Sequence, residues 1–256
     1  MRTTSLLRTS VALAAATALL GACSDSDADD DTTATPSSSE SSESTESTES
    51  TGSTPSTPAD LPAGVLALPE APTGGTSIDV AAGRYRVRLD DALSFDVTLP
   101  AGSTVHDNGL FLATPSFVLK TELAGEEYGV PRDPCTDQTI EPAGSTVEDL
   151  VAALSDLPAY EVSAPEAVEL GGAEGAYLEA RVPRGYDDSK CAGGAVQLPG
   201  NPDTAVGGPA PYTGRWWVLD VEGRRVVVQQ NCWGCSDRDL ARAPKTAGTI
   251  TFTATP

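Results

Sequence analysis

Cys232-Trp233-Gly234-Cys235 has the spacing at which two cysteines can exchange between dithiol and disulfide, and it stands between a β-like run and a helix-like segment. A helix N-terminus lowers a thiol pKa and so favours the attacking thiolate. Here, however, the helix signal starts at Ser236, after the second cysteine, and Asp237 and Asp239 would oppose a thiolate charge. The motif therefore reads first as a turn closed by a structural disulfide, with thiol–disulfide exchange by Cys232 and Cys235 as the alternative. A reduction potential below about −300 mV goes with the first reading and a strongly oxidising one with the second.

Cys23 points to a different chemistry. Arg2 and Arg8 precede an uncharged stretch from Val11 to Leu20, the pattern of an export signal over residues 1–22 that is too short to span a bilayer. The run Leu19-Leu20-Gly21-Ala22-Cys23 resembles the lipobox of bacterial lipoproteins. The resemblance implies cleavage before Cys23 and a diacylglyceryl thioether on its sulfur. Two acyl chains, at about 0.8 kcal/mol per buried methylene, hold a protein firmly to a membrane. The expected location is the outer face of a bacterial plasma membrane.

With Cys23 set aside, Cys135, Cys191, Cys232 and Cys235 form an even set in an exported chain, which reads as two disulfides. Of the three connectivities, Cys135 with Cys191 and Cys232 with Cys235 is favoured. Closing the long loop would add roughly 4 kcal/mol by chain entropy, the short one nearer 2 kcal/mol. Zinc usually takes two close cysteine pairs or cysteines joined by histidines, whereas Cys135 and Cys191 are solitary and His106 is the one histidine. No metal and no cofactor is expected.

Hydrolytic chemistry finds equally little. A Ser/His/Asp system would have to recruit His106, which sits beside the turn-like Asp107-Asn108-Gly109. The sequence has no Gly-x-Ser-x-Gly elbow, and no carboxylate pair stands out by spacing, so no catalytic residue is assigned. Trp216-Trp217, with Tyr212 and Arg215 upstream, is the best candidate for ligand contact. Neighbouring side chains of a strand face opposite ways, so one tryptophan can enter the core while the other stays accessible to a glycan or protein; the alternative is that the Pro183 to Gly214 loop covers the pair.

The elements that must position these residues lie beyond a tether. Residues 24–60 carry ten carboxylates and no Lys or Arg, among Ser, Thr and Pro. Such a segment cannot bury enough apolar surface to offset the entropy of ordering and is expected to stay disordered. Its end-to-end distance would be roughly 35 Å, and its Ser/Thr/Pro content suits O-glycosylation. Residues 23–60 are thus a lipidated cysteine and linker, and residues 61–256 one α+β domain. That domain carries 14 basic residues against 27 acidic ones, a net of −13, which argues against nucleic acid and against electrostatic docking on anionic lipid.

Alternating runs at Arg84 to Leu89, Ser94 to Leu99, Leu110 to Thr114 and Phe117 to Leu123 predict half-buried strands. Ser145-Thr146-Val147-Glu148 reads as a capping box, followed by Val147, Leu150, Val151, Leu154 and Leu157 at helical spacing until Pro158. Strands are expected at Tyr160 to Ser163, Ala167 to Leu170 and Ala176 to Val182, the last two joined through glycines 171, 172 and 175. A Gly/Pro-rich loop from Pro183 to Gly214 precedes a hairpin, Arg215 to Val221 and Arg224 to Gln230, turning at Glu222-Gly223. A second helix begins at Ser236, and Thr249 to Thr253 is a last strand. The octapeptides Pro100 to Asp107 and Pro142 to Asp149 are nearly the same, yet one leads into a strand and the other into a helix. Strands outnumber helices, so an antiparallel sheet with two packed helices is expected.

The order of Asp133-Pro134-Cys135, the helix Ser145 to Leu157, Val168 to Glu179 and Val218 to Arg225 resembles secreted actinobacterial domains with a Mog1/PsbP-like α/β sandwich. The resemblance implies that fold and no reaction, since such domains are largely binding or accessory modules. The Cys232 to Cys235 insertion departs from the pattern. The function expected is a membrane-anchored, non-catalytic binding or accessory role for an envelope ligand or protein, with a redox protein or a purely structural component as alternatives.

Overall fold

The computed structural model describes residues 61–71, 76–106, 109–111 and 117–254. The expected signal, Cys23, the acidic tether, Asp107, Asn108 and the end of the expected Leu110 to Thr114 strand lie outside them. In chain order the elements are β1 (Val65–Ala67), β2 (Ile78–Val80), β3 (Gly83–Arg88), β4 (Leu93–Leu99), β5 (Ser103–His106), β6 (Gly109–Phe111), β7 (Phe117–Leu123), β8 (Gly129–Asp133) and β9 (Asp137–Pro142). Then come α1 (Val147–Ser155), β10 (Glu161–Val162), β11 (Glu166–Leu170), β12 (Ala173–Val182), β13 (Val196–Gln197), β14 (Gly207–Gly208), β15 (Tyr212–Val221), β16 (Arg224–Trp233), α2 (Asp237–Ala247) and β17 (Thr251–Ala254).

Among the described residues a large sheet runs β10-β12-β15-β16-β7-β6-β5-β2, with β11 also on β12, and a small one runs β1-β3-β4-β17. The expected α+β class is what the structure shows: mostly sheet, with two short helices. Its centre is the β15–β16 hairpin, ten residues in each strand, paired from Tyr212 with Trp233 to Val221 with Arg224. Glu222 and Gly223 turn it with positive φ at both positions, 54° and 75°, the geometry that matches strand twist. The hairpin is three residues longer at its open end than the alternation predicted, because Tyr212 to Gly214 continue the strand instead of ending the loop.

Both faces of this hairpin are buried. On one, Trp217, Leu219, Val226 and Val228 pack against Phe95, Val97 and Leu99 of the small sheet and against Ala247 of α2. On the other, Trp216, Val218 and Val227 pack with Leu150 and Leu154 of α1, Tyr128, and Val196 and Leu198 of the loop after β12. That loop holds two short 3-10 turns and the β13–β14 pair. Cys191 within it is bonded to Cys135, between β8 and β9.

Two local expectations need correction. The cap of α1 is Thr146 with Asp149, one residue later than Ser145 with Glu148: Thr146 Oγ1 accepts from the Asp149 amide at 3.1 Å and Asp149 Oδ2 from the Thr146 amide at 3.2 Å. The Thr146 carbonyl is held from outside the helix by Arg225 Nη1 at 2.8 Å, which fixes the register. Gly175 is no turn residue. It lies within β12, where an added Cβ would come 2.0 Å from the Val218 carbonyl oxygen, so close strand approach explains the glycine.

Candidate functional site

The tryptophan pair obeys strand alternation, and both rings are covered. Trp216 is 0% and Trp217 5% exposed; with a covered layer on each side of the sheet, opposite faces are both interior. Neither ring is accessible: of the two readings of the pair, the covered one holds, and for Trp216 the cover includes Val196 and Leu198 of the loop after β12. Tyr212 and Trp216 share one face and close over Gly214, where a Cβ would meet Trp216 Cη2 at 2.2 Å and the Tyr212 hydroxyl at 2.3 Å. Arg215 points the other way, its Nε donating to Glu179 Oε2 at 2.7 Å and its Nη1 to the Leu240 carbonyl of α2 at 2.7 Å. The three residues thus serve two different interiors.

Cys232 and Cys235 are bonded to each other. Cys232, 3% exposed, belongs to the core beside the small sheet, and the Gly234 amide between them donates to the Pro211 carbonyl at 2.8 Å. Ser236 then caps α2, accepting from the Asp239 amide at 3.3 Å. The bridge ties the end of β16 to the start of α2. His106 is half-buried at the end of β5, opposite Gly109. Among the described residues no group of three His, Cys, Asp or Glu side chains is placed to hold a metal ion.

What the structure brings together is a cleft that the sequence did not single out. Beside the N-terminal turn of α1, over the turn ends of β11, β12, β15 and β16, lies an open space of about 1080 Å³. Val147 and Val151 of α1 with Ala167 and Ala176 of the sheet give it apolar walls, and Glu148, Glu169, Glu174 and Asp220 line it with carboxylates. Strand register puts three of these in one row. Glu169 pairs with Glu174, Glu174 with Asp220, and Asp220 with Arg225, across four adjacent strands.

Arg225 ends the row without neutralising it. It is 7% exposed, and its guanidinium donates to the carbonyls of Ala124 at 3.0 Å, Gly125 at 2.6 Å and Thr146 at 2.8 Å. Burial pulls its pKa down from the ordinary value, while the nearby Asp149 carboxylate acts the other way. Asp149 itself is held below the usual carboxylate range, first by the Thr146 backbone amide. Asp220 Oδ1 accepts from the Gly223 amide at 2.8 Å, which fixes it at the hairpin turn. Like charges side by side on a sheet destabilise it by some tenths of a kcal/mol each, so a cationic group laid along the row would relieve that repulsion.

Beyond the cleft, the same face carries a buried chain of hydrogen bonds. The Tyr128 hydroxyl donates to Gln229 Oε1 at 3.4 Å, Gln229 Nε2 to Asn231 Oδ1 at 2.9 Å, and the Tyr212 hydroxyl to Asn231 Oδ1 at 2.6 Å. Burial pushes both tyrosines well above their ordinary pKa. These groups satisfy one another inside the core.

The two halves of the acidic row were within reach of sequence reasoning. A two-residue Gly171-Gly172 turn sets Glu169 opposite Glu174, and the Glu222-Gly223 turn sets Asp220 opposite Arg225. Joining the halves needs the pairing of β12 with β15, which no local signal announces.

No family model and no curated protein matches the sequence. Among solved structures, a crystal structure of LpqN, involved in cell envelope biogenesis of Mycobacterium tuberculosis, is similar over 72% of this chain and 91% of its own, with 14% sequence identity and a TM-score of 0.30.

Proposed function

We propose that the protein is an extracytoplasmic lipoprotein that acts by binding, anchored through Cys23 to the outer face of a bacterial plasma membrane and held off it by the acidic segment before residue 61. One observation carries the binding role: the cleft of about 1080 Å³ beside α1, with apolar walls and a carboxylate row. Its size is that of a small-molecule or peptide-segment site. Its walls offer contact to an apolar body and its row offers charge to a cationic group. The lipobox-like run at Leu19 to Cys23 supports the anchor.

The test places a photo-crosslinking side chain at Val151 in the full-length protein in its native envelope, with a second probe at the exposed Thr98 of the small sheet as control. A partner captured from Val151, absent from the control and lost when Glu174→Lys is added, is the expected result. Equal capture from both positions would sink the assignment of the cleft. Cys23→Ala should move the protein from the membrane to the soluble fraction, and retention in the membrane would overturn the anchor.

A further inference from the structure

Among the described residues β11 pairs with β12 alone, and its other edge borders the cleft through Ala167, Val168 and Glu169. The edge is five residues long, Glu166 to Leu170, with Pro165 before it and the Gly171-Gly172 turn after it. A strand edge presents N–H and C=O groups that template another strand, and peptides bind such edges by adding main-chain hydrogen bonds, with alternate side chains giving specificity.

The surroundings say which peptide. Every second side chain of an added strand would fall on the side of Ala167 and Glu169, the cleft side. The position beside Glu169 prolongs the row Glu169, Glu174, Asp220, where an opposite charge is favoured and a like charge is not. Intervening side chains would fall beside Val168 and Leu170, which pack toward the small sheet, so apolar residues suit them. A second copy adding through the same edge would crowd Glu166 and Glu169 of both chains onto one short ribbon, which disfavours self-pairing.

We propose that the β11 edge and the cleft together form a strand-addition site for an extended segment of a partner protein in which cationic and apolar residues alternate. The proposal rests on the reading of the cleft as the binding surface and names the class of its ligand.

The probe is the synthetic peptide acetyl-Lys-Val-Lys-Val-Lys-Val-amide, titrated calorimetrically into the full chain, with amide exchange followed over residues 166–170. Binding with slowed exchange of those amides is expected. N-methylation of alternate amides, which keeps the charge but blocks strand pairing, should weaken binding about tenfold or more, as should Glu169→Lys. Glu169→Lys is an exposed change that removes a like charge from the row and so should not lower the melting temperature, and Glu169→Gln gives a milder second variant. Ile78→Lys, on the opposite edge of the large sheet, should leave binding unchanged. If the N-methylated peptide binds within twofold of the parent, strand addition is overturned while the cleft keeps its binding role. No binding of any peptide overturns the peptide class, and capture from Val151 then decides the binding role separately. Sedimentation showing a dimer that Glu166→Lys or Ala167→Pro dissociates would assign the edge to a second copy instead.

Discussion

The two faces of the β15–β16 hairpin bury the same strands by different means. One is covered by the small sheet and α2, whose Phe95, Val97, Leu99 and Ala247 pack with Trp217, Leu219, Val226 and Val228. The other is covered by α1 and by irregular segments pinned through Cys135 and Cys191. A nine-residue helix is about 13.5 Å long, whereas a ten-residue strand spans about 33 Å, so α1 cannot cover that face. The remainder is filled by the loop after β12 at one end and left as the cleft at the other. The small sheet covers Trp217 and its neighbours, and the helix face carries the cleft on which the proposed binding role rests.

The largest test of this comparison is the tryptophan pair. Trp216→Ala and Trp217→Ala should each cost about 3–5 kcal/mol in denaturant unfolding, since each ring fills a closed interior. A near-neutral Trp217→Ala would mean that the small-sheet face is not sealed, and the contrast would fail. Next in size, Arg225→Met removes a guanidinium that ties the Thr146 carbonyl at the entry of α1 to the Ala124 and Gly125 carbonyls after β7. A loss of about 2 kcal/mol is expected, together with faster amide exchange at the start of α1 but not in the small sheet. Uniform acceleration would show that Arg225 supports the whole structure and not the helix face in particular.

Acid should act on the tie between the two sheets through one carboxylate. Asp90, in the turn between β3 and β4, is lowered to about 2, chiefly by the hydrogen bond from Arg224, with the Ala92 and Leu93 amides assisting. A carboxyl whose folded pKa lies below its unfolded value of about 4 stabilises fully above about pH 4, and that contribution is lost as the pH falls toward about 2. Asp90→Asn should therefore flatten the acid limb of stability between about pH 4 and 2, read from urea midpoints. An unchanged slope would show that the turn pair is not a tie between the sheets. The smallest effect has the opposite sign: Glu169→Gln should stabilise by a few tenths of a kcal/mol by removing one like charge from the row, while weakening the Lys-Val peptide. If stability falls instead, the row is held by contacts of its own and is not an unrelieved acidic surface.

Much of the small-scale structure was legible because it depends on near neighbours. Alternation announced β3, β4, β7 and the central hairpin, and the Leu150-Leu154-Leu157 spacing announced α1, whereas the first copy of the near-repeat does not merely lead into a strand but contains β5. The β8–β9 hairpin was missed because Pro131 and Pro142 interrupt its alternation. The capping box shifted by one residue because Ser145-Glu148 and Thr146-Asp149 are equally good local signatures, and a contact from Arg225 chose between them.

By itself the sequence determined the class of fold, the alternation of Trp216 and Trp217, and the hairpin turn that sets Asp220 against Arg225. Those depend on backbone period and turn chemistry, which act over a few residues. Only the tertiary structure decided that both tryptophans are covered and that the carboxylates form one row under an open cleft. Exposure depends on what packs on each face of a sheet, and that is fixed by strand pairings and layers between residues far apart in the chain.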